Sequence, residues 1–333
     1  MSSVTPQQSD SNHQPYLVIS AHDDIIWRLA YLPNGRRVVT GSGDRTVKVW
    51  DLENGEQEGT SMEHERGIFG LAVTRDGTKI ISSDYDGKIK VWNVETHKLV
   101  KEWSYPSYPG SCPRIAISPD DRLIAVANEI LAIYCMEGNL RKVNHINHSI
   151  EAGNRVQFMC FSPDGTKLAC STLDDIRVYD VNDGTLVLGP LRGHQHWIWG
   201  VLWSHDGSRL FSGSDDKTIR CWNTHTGEQI GHPWTGHTSY IRSLSLSPDG
   251  SILASASLDH TVRFWDATTG KPIGQYDNTV SPVCFSPCGD SVASAGSDGK
   301  IYFWRVPRLN SITHQAITSP RCTSVFTLIA FAI

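Results

Sequence analysis

Residues 193–223 read GHQHWIWGVLWSHDGSRLFSGSDDKTIRCWN, and this stretch contains the plan of the whole chain. It opens on His194, passes an Asp-Gly turn, reaches a second turn at Asp216 and closes on Trp222. Three short runs rich in β-branched and aromatic residues lie between these marks. Such runs, bounded by turn residues, are typical of β-strands. The stretch therefore predicts three short strands joined by tight turns.

The same marks recur along the chain at a nearly constant spacing. An opening histidine is followed 22 residues later by a turn aspartate in four places, at His22 and Asp44, His64 and Asp86, His194 and Asp216, and His237 and Asp259. The aromatic residue that closes the third run occurs seven times, at Trp50, Trp92, Tyr134, Tyr179, Trp222, Trp265 and Trp304. Self-similarity at about 40–45 residues with four strands per unit is the sequence signature of propeller blades. Because one blade cannot bury its own faces, the seven units are predicted to stack in a ring.

These residues resemble the WD-repeat β-propeller family, and the resemblance covers nearly all of residues 15–306. It implies an all-β fold, a seven-bladed β-propeller of four-stranded antiparallel blades. Blade 7 stops after its third strand near Trp304, so the resemblance implies that residues 15–20 supply its outer strand and close the ring. Closure also removes the open sheet edges at which chains aggregate.

The two ends of the chain differ from the repeats. Residues 1–14 are polar and are predicted to be a disordered tail. Residues 307–333 form a C-terminal tail that ends in ten residues without charge. A bilayer span needs about 20 apolar residues, so these ten are too few to cross a membrane. The tail is predicted to be unstructured. Whether it is a functional anchor or a truncated chain end stays open on the sequence.

In the family that the chain resembles, the opening histidine, a hydroxyl residue of the second strand, the turn aspartate and the third-strand tryptophan form a hydrogen-bonded tetrad. The matching sets here are His22, Thr40, Asp44 and Trp50; His64, Ser82, Asp86 and Trp92; His194, Ser212, Asp216 and Trp222; and His237, Ser255, Asp259 and Trp265. A Ser–His–Asp set also occurs in hydrolases, but a catalytic triad is needed once. Four copies in register favour a structural role. Val126 and Cys170 replace the hydroxyl in blades 3 and 4, which are predicted to be less firmly tied.

Some positions vary between repeats where packing does not dictate the residue. The columns four and seven residues after the opening histidine hold only Ile, Leu and Val, as packed positions between blades should. The columns three and five residues after it, and the position before the turn aspartate, differ in size and charge. They lie at one end of the strands, and the resemblance implies that this face of the ring binds partners. The predicted partner-binding residues are Trp27, Phe69, Tyr85, Trp197, Trp199, Asp215, Tyr240 and Arg242. Trp, Tyr, Phe and Arg are enriched in interface hot spots, although some of these rings could instead pack between blades.

Composition narrows the function further. The net charge is −5 and the pI is near 6.3, so no basic field favours a nucleic acid or an anionic membrane. The eight cysteines are scattered and form no Cys-x-x-Cys pair, and the polar first residues contain no signal peptide. A reducing compartment, the cytoplasm or the nucleus, is predicted.

The sequence thus predicts a non-catalytic scaffold for protein–protein interaction that binds a protein or peptide segment. We expect no catalytic residue, cofactor or metal, and a monomer that works within a larger complex. One alternative is a propeller enzyme of the metal-dependent hydrolase type. Another is the sensor-repeat fragment of a larger signalling protein.

Overall fold

A computed structural model of the chain describes residues 14–105, 112–128, 131–136, 155–277 and 281–307, and the backbone of 142–146. All regular secondary structure within these ranges is β-strand. The predictions for the polar N-terminal tail and for the apolar C-terminal end lie almost wholly outside the described residues and stay predictions.

The strands fall into seven consecutive sheets, preceded by the short strand β1 (Leu17–Ser20). Blade 1 contains β2 (Ile26–Tyr31), β3 (Arg37–Ser42), β4 (Thr46–Asp51) and β5 (Gln57–Glu63). Blade 2 contains β6 (Ile68–Val73), β7 (Lys79–Asp84), β8 (Lys88–Asn93) and β9 (Leu99–Ser104). Blade 3 contains β10 (Arg114–Ile117), β11 (Leu123–Ala127), β12 (Leu131–Cys135) and β13 (Lys142–Ile146). Blade 4 contains β14 (Phe158–Phe161), β15 (Lys167–Ser171), β16 (Asp175–Asp180) and β17 (Leu186–Arg192). Blade 5 contains β18 (Ile198–Trp203), β19 (Arg209–Ser214) and β20 (Ile219–Asn223). Blade 6 contains β21 (Ile241–Leu246), β22 (Ile252–Ser257), β23 (Thr261–Asp266) and β24 (Pro272–Asp277). Blade 7 contains β25 (Val283–Phe285), β26 (Ser291–Ala295) and β27 (Lys300–Arg305).

The sheets form a closed ring. Within each sheet the strands are antiparallel and follow one another from the innermost outward. The innermost strands contact each other in succession from β2 through β6, β10, β14, β18 and β21 to β25, and β25 returns to β2. The predicted seven-bladed propeller is confirmed. In blade 5 the fourth segment joins the sheet through two isolated bridges, Ile219 to Trp234 and Trp222 to Gln229.

The N-terminal strand closes the ring. Strand β1 pairs antiparallel with β27, from Leu17 opposite Phe303 to Ser20 opposite Lys300, and becomes the outer strand of blade 7. Ile19 is only 4% exposed and packs in one apolar cluster with Ile301 and Phe303. The pairing covers the edge of β27, which would otherwise present unpaired backbone groups. This predicted closure is confirmed.

The core lies between neighbouring blades. Apolar side chains from two adjacent sheets share each cluster; one cluster, for example, holds Val47 of blade 1 and Leu71 of blade 2. The two uniform columns of the repeat are all buried: Ile26, Ile68, Ile198 and Ile241, and Leu29, Leu71, Val201 and Leu244. Trp203, which repeat comparison assigns to the core, is buried, and its indole donates a 3.2 Å hydrogen bond to the Cys160 carbonyl.

Candidate functional site

The tetrad of blade 5 shows how the second and third strands are tied to the loop that precedes the blade. Trp222 Nε1 donates to Ser212 Oγ at 2.9 Å, and Ser212 Oγ lies 2.7 Å from His194 Nε2. His194 Nδ1 lies 2.7 Å from Asp216 Oδ2. In blades 1 and 6 the corresponding distances are between 2.7 and 2.9 Å, for His22, Thr40, Asp44 and Trp50 and for His237, Ser255, Asp259 and Trp265. In each of these three blades the tryptophan, the hydroxyl residue and the histidine of the hydrogen-bonded tetrad are buried.

The direction of these hydrogen bonds fixes the charge of the histidine. The Ser212 oxygen accepts from Trp222, and among the described residues the acceptor in reach of its own proton is His194 Nε2 at 2.7 Å. His194 is therefore neutral and donates from Nδ1 to the carboxylate. Burial lowers the pKa of His194 below its ordinary value, although Asp216 opposes the shift. Burial alone would raise the pKa of Asp216, but hydrogen bonds from His194 and Thr218 lower it well below the usual range.

Blade 2 departs from the expected tetrad, and Asp86 does not belong to it. His64 Nδ1 lies 3.2 Å from Asp84 Oδ2, while Asp86 forms an exposed salt bridge to Arg66 at 3.0 Å. Two substitutions explain the exchange. Asp84 stands where blades 1, 5 and 6 have a serine, and the longer carboxylate reaches the histidine. Lys88 stands where they have the threonine whose hydroxyl anchors the turn aspartate in blades 1, 5 and 6.

The tetrad histidines should make stability depend on pH. The folded-state pKa is lowered by burial in His64, His194 and His237, whereas a histidine in the unfolded chain titrates near ~6.5. The unfolded state therefore binds more protons in mild acid, and the stabilisation by neutral histidine is lost as pH falls through ~6.5. We expect a lower melting temperature at pH 5.5 than at 7.5. The tetrad aspartates do not contribute in this window, because their stabilisation is lost only below about pH 4.

Thermal denaturation across this pH range measures the effect. A His225→Gln variant, which removes an exposed histidine, should keep the slope of the parent protein. A melting temperature that stays level or rises on acidification would contradict the assignment of neutral histidines.

The expected partner-binding residues form two clusters on one face of the ring, here called the upper face. It is built from the loops that lead into the innermost strands and the turns that follow the second strands. The first cluster belongs to blades 1 and 2. Trp27 stacks on Phe69 with ring centroids 5.2 Å apart, and Phe69 contacts Tyr85 at 5.6 Å. Trp27 and Tyr85 are 38% and 42% exposed, and Phe69 is half-buried between them.

The second cluster belongs to blades 5 and 6. Trp197 and Trp199 lie with ring centroids 5.4 Å apart, and the guanidinium carbon of Arg242 lies 4.2 Å from the Trp199 centroid. The same guanidinium lies 5.4 Å from the Tyr240 ring, and Arg242 Nε is 3.6 Å from Asp215 Oδ1. Trp197 and Tyr240 are 43% and 42% exposed, whereas Trp199, Asp215 and Arg242 are half-buried.

Two polar atoms of the second cluster are buried without a hydrogen-bond partner among the described residues. They are Trp199 Nε1 and Asp215 Oδ1. Burial raises the pKa of Asp215, although the Trp199 indole and the Arg242 guanidinium both act to lower it. Burial likewise lowers the pKa of Arg242, and Asp215 opposes that shift.

Comparison of repeats missed two residues that join the clusters. The guanidinium carbon of Arg114 lies 5.9 Å from the Trp199 ring, and its Nη1 donates to the Phe69 carbonyl at 3.5 Å. Arg28 donates from Nη1 to the Trp27 carbonyl at 2.7 Å. Both arginines stand seven positions before the residue at the tip of the following turn, Gly35 or Asp121. Counting from the opening histidine places Arg28, six residues after His22, but not Arg114, because blade 3 has no such histidine; counting back from the turn would have found both.

Five segments of the chain match the family described as WD domain, G-beta repeat, at residues 13–51, 55–93, 185–223, 227–266 and 270–305. Together they cover more than half of the chain. The chain belongs to the WD-repeat family. The stretch 94–184, which the five matches leave out, contains blade 3 and the first three strands of blade 4, where Val126 and Cys170 replace the tetrad hydroxyl.

Relatives share the repeats over different lengths. WD repeat-containing protein SL1-17 of Schistosoma mansoni is 27% identical over 207 residues, 60% of this chain and 67% of that protein. Small ribosomal subunit protein RACK1y of Oryza sativa subsp. japonica is 25% identical over 198 residues, 56% of this chain and 44% of the relative. Intraflagellar transport protein 122 homolog of Mus musculus is 46% identical over 61 residues, 18% of this chain and 5% of the relative. The chain thus spans only a small part of the intraflagellar transport relative.

Neither a membrane-spanning helix nor a metal site is found in the described ranges of this WD-repeat chain. The described ranges contain no helix whose length and apolar character would let it cross a membrane. In the same ranges, no three side chains of His, Cys, Asp or Glu are grouped so as to hold a metal ion.

Proposed function

We propose that the chain is a non-catalytic scaffold that binds a protein segment across the upper face. The observation that carries the proposal is the pair of aromatic clusters, which meet water on a face that the fold does not require to be aromatic. Trp, Tyr and Arg are the residue types that dominate interface hot spots. Trp27, Tyr85, Trp197 and Tyr240 are each more than a third exposed.

The second cluster defines what the segment would bring. Trp197 lies beside Trp199, the Arg242 guanidinium covers the Trp199 ring at 4.2 Å, and Tyr240 lies on the Arg242 guanidinium. An apolar or aromatic anchor would bury itself between the exposed rings. A carboxylate on the same segment would pair with the planar fork of Arg242, whose present partner Asp215 lies at 3.6 Å. The clusters of blades 1 and 2 and of blades 5 and 6 would hold two points of one extended segment.

Peptide selection followed by truncation tests this proposal. Peptides selected on the immobilised full chain from a displayed random library should bind at least about thirtyfold more weakly to a Trp197→Ala/Tyr240→Ala double variant, because each truncated hot-spot residue costs ~2 kcal/mol or more. Both side chains are exposed, so the variant should keep the parent melting temperature.

Tyr16→Ala is the matched control. Tyr16 is 47% exposed and lies beneath an arginine, with the Arg305 guanidinium 4.5 Å from its ring, but it belongs to the outer edge of blade 7. Peptide affinity should be unchanged in this variant. The proposal fails if the library yields no binder, or if the selected peptides bind the double variant as tightly as the parent protein.

A further inference from the structure

Two arginines on the innermost strands are held side by side at the mouth of the central channel. Arg28 of blade 1 donates to the Trp27 carbonyl and Arg114 of blade 3 donates to the Phe69 carbonyl. These carbonyls belong to residues whose rings stack 5.2 Å apart. The positive charge of Arg114 acts on Arg28, so both guanidinium groups lie in the part of the ring formed by the innermost strands of blades 1 to 3.

The blade between them leaves this space open. Gly70 of blade 2 occupies the position equivalent to Arg28 and Arg114. A Cβ at Gly70 would lie 2.3 Å from Ser83 Oγ and 3.2 Å from the Pro113 carbonyl oxygen, so close packing of blades 2 and 3 requires glycine there. No side chain from blade 2 separates the two arginines at this level.

A third guanidinium, that of Arg242 in blade 6, contacts the same Trp199 ring as Arg114. The Trp199 ring has Arg242 4.2 Å from its centroid and Arg114 5.9 Å from it. The two guanidinium carbons are therefore no further apart than the sum of these distances. Burial lowers the pKa of Arg28 and of Arg114, and Arg114 and Arg242 respectively lower them further. Each arginine thus feels its neighbour's positive charge.

The described residues supply too little negative charge to neutralise this group. Arg242 has Asp215 at 3.6 Å, but neither Arg28 nor Arg114 forms a salt bridge within the described residues, and Arg114 Nε is buried there without a hydrogen-bond partner. Burial raises the pKa of the nearby Cys112 thiol in spite of the arginines, so the thiol stays neutral. Three guanidinium groups and one carboxylate leave an excess of two positive charges, in a chain whose net charge is −5.

We propose that Arg28, Arg114 and Arg242 form a binding site for a phosphoryl dianion at the channel mouth. The charge of the ligand matches the excess of the site, since a phosphate monoester carries about −1.5 to −2 at pH 7. Its three terminal oxygens accept several hydrogen bonds, and guanidinium groups bind phosphate through parallel N–H donors. A single carboxylate supplies half the charge and fewer acceptors. The group comes either from a phosphorylated side chain of a protein segment or from a free phosphate ester, and only the first source rests on the proposed scaffold function.

Calorimetric titration of the full chain with inorganic phosphate tests the site without any partner. The parent protein should bind phosphate and melt at a higher temperature in its presence. An Arg28→Gln/Arg114→Gln variant should bind at least about tenfold more weakly or not at all, because losing even one hydrogen bond to a charged group costs roughly a factor of ten or more. Without phosphate, this variant should melt no lower than the parent, since it relieves repulsion between like charges.

Arg36→Gln/Arg122→Gln is the matched control. It removes the same two charges from the same two blades, but from exposed turns at the opposite ends of the strands. It should bind phosphate like the parent protein. If the Gln variant fails to fold, Arg28→Lys/Arg114→Lys keeps the charge while removing the forks, and it should still bind phosphate more weakly than the parent.

A peptide pool with a fixed central phosphoserine, compared with its unphosphorylated counterpart, separates the two sources. Tighter binding of the phosphorylated pool than of inorganic phosphate supports the site with a protein segment as its source. Equal binding of the phosphorylated pool and of inorganic phosphate supports the site with a free ester as its source. The proposal is overturned if phosphate binds parent and Arg28→Gln/Arg114→Gln variant equally, or binds neither. Because phosphate alone decides this, the site can fail while peptide binding through Trp197 and Tyr240 stands, and the reverse.

Discussion

A chain that lacks residues 1–20 should be unfolded or aggregated under conditions in which a chain lacking only residues 1–13 melts cooperatively. The longer deletion removes β1, whose backbone pairs with β27 and whose Ile19 is 96% buried in the cluster shared by blades 7 and 1. Burying one isoleucine side chain contributes ~1.5–3 kcal/mol, and the four paired residues add their ladder hydrogen bonds. The expected loss of several kcal/mol is a large share of the ~5–15 kcal/mol stability of a typical domain.

The shorter deletion is the control because it stops before Gln14 and leaves β1 whole. Size-exclusion chromatography and thermal denaturation of both truncated chains measure the difference. An uncovered β27 would also present a free strand edge, so aggregation of the longer deletion is part of the expected result. Equal melting temperatures for the two truncations would show that β1 does not stabilise the ring.

The blade count was predictable because a propeller writes its period directly into the sequence. The closing aromatic falls at Trp50, Trp222 and Trp304 among its seven occurrences, and each of these three donates its indole N–H to a hydroxyl of the second strand at 2.9 Å. That hydrogen bond needs a fixed register between neighbouring strands, which keeps the spacing within the repeat constant. The closing role of residues 15–20 followed because blade 7 lacked an outer strand of its own.

The site was less predictable, because the spacing of residues along the chain does not show which side chains contact each other. Asp86 holds the position of the turn aspartate, yet Asp84 is long enough to replace it, and only the structure shows which carboxylate contacts His64. Arg114 was missed for a different reason. It lies in a blade without the opening histidine, so its position in the repeat had no origin to count from, and its neighbour Trp199 belongs to blade 5. Contacts across the channel join residues far apart in the chain, which no single repeat encodes.

Exposure also could not be predicted residue by residue. Trp27 and Phe69 occupy the same column of the repeat, but Trp27 is exposed and Phe69 is half-buried between two rings. Trp197 and Trp199 likewise differ, since Trp199 turns toward the channel and meets two arginines. Repeat comparison identifies which columns are free to vary, whereas the neighbours in the next blade decide how far each side chain meets water.

The exchange of aspartates in blade 2 leads to the second large effect, a reversal of what position in the repeat would predict. Asp84 is 1% exposed and accepts hydrogen bonds from His64 Nδ1 at 3.2 Å and from the backbone N–H groups of Asp86 and Lys88 at 3.1 and 2.9 Å. Burial alone would raise the pKa of Asp84, but these hydrogen bonds lower it. Asp84→Ala should therefore strand several donors and lower the free energy of unfolding by about 3 kcal/mol, at ~1–3 kcal/mol for each stranded group.

Asp86→Ala should change the same free energy by less than about 0.5 kcal/mol, because exposed ion pairs contribute little. Its partner Arg66 is 63% exposed and Asp86 itself 49%. Chemical denaturation of the two variants under identical conditions compares them, with Asp216→Ala as the reference for a tetrad in which the turn aspartate does hold the histidine. Asp84→Ala should resemble Asp216→Ala, and Asp86→Ala should resemble the parent protein. A larger loss for Asp86→Ala than for Asp84→Ala would mean that His64 is held by the aspartate at the repeat position after all, since the two alanine variants differ only in which carboxylate is removed.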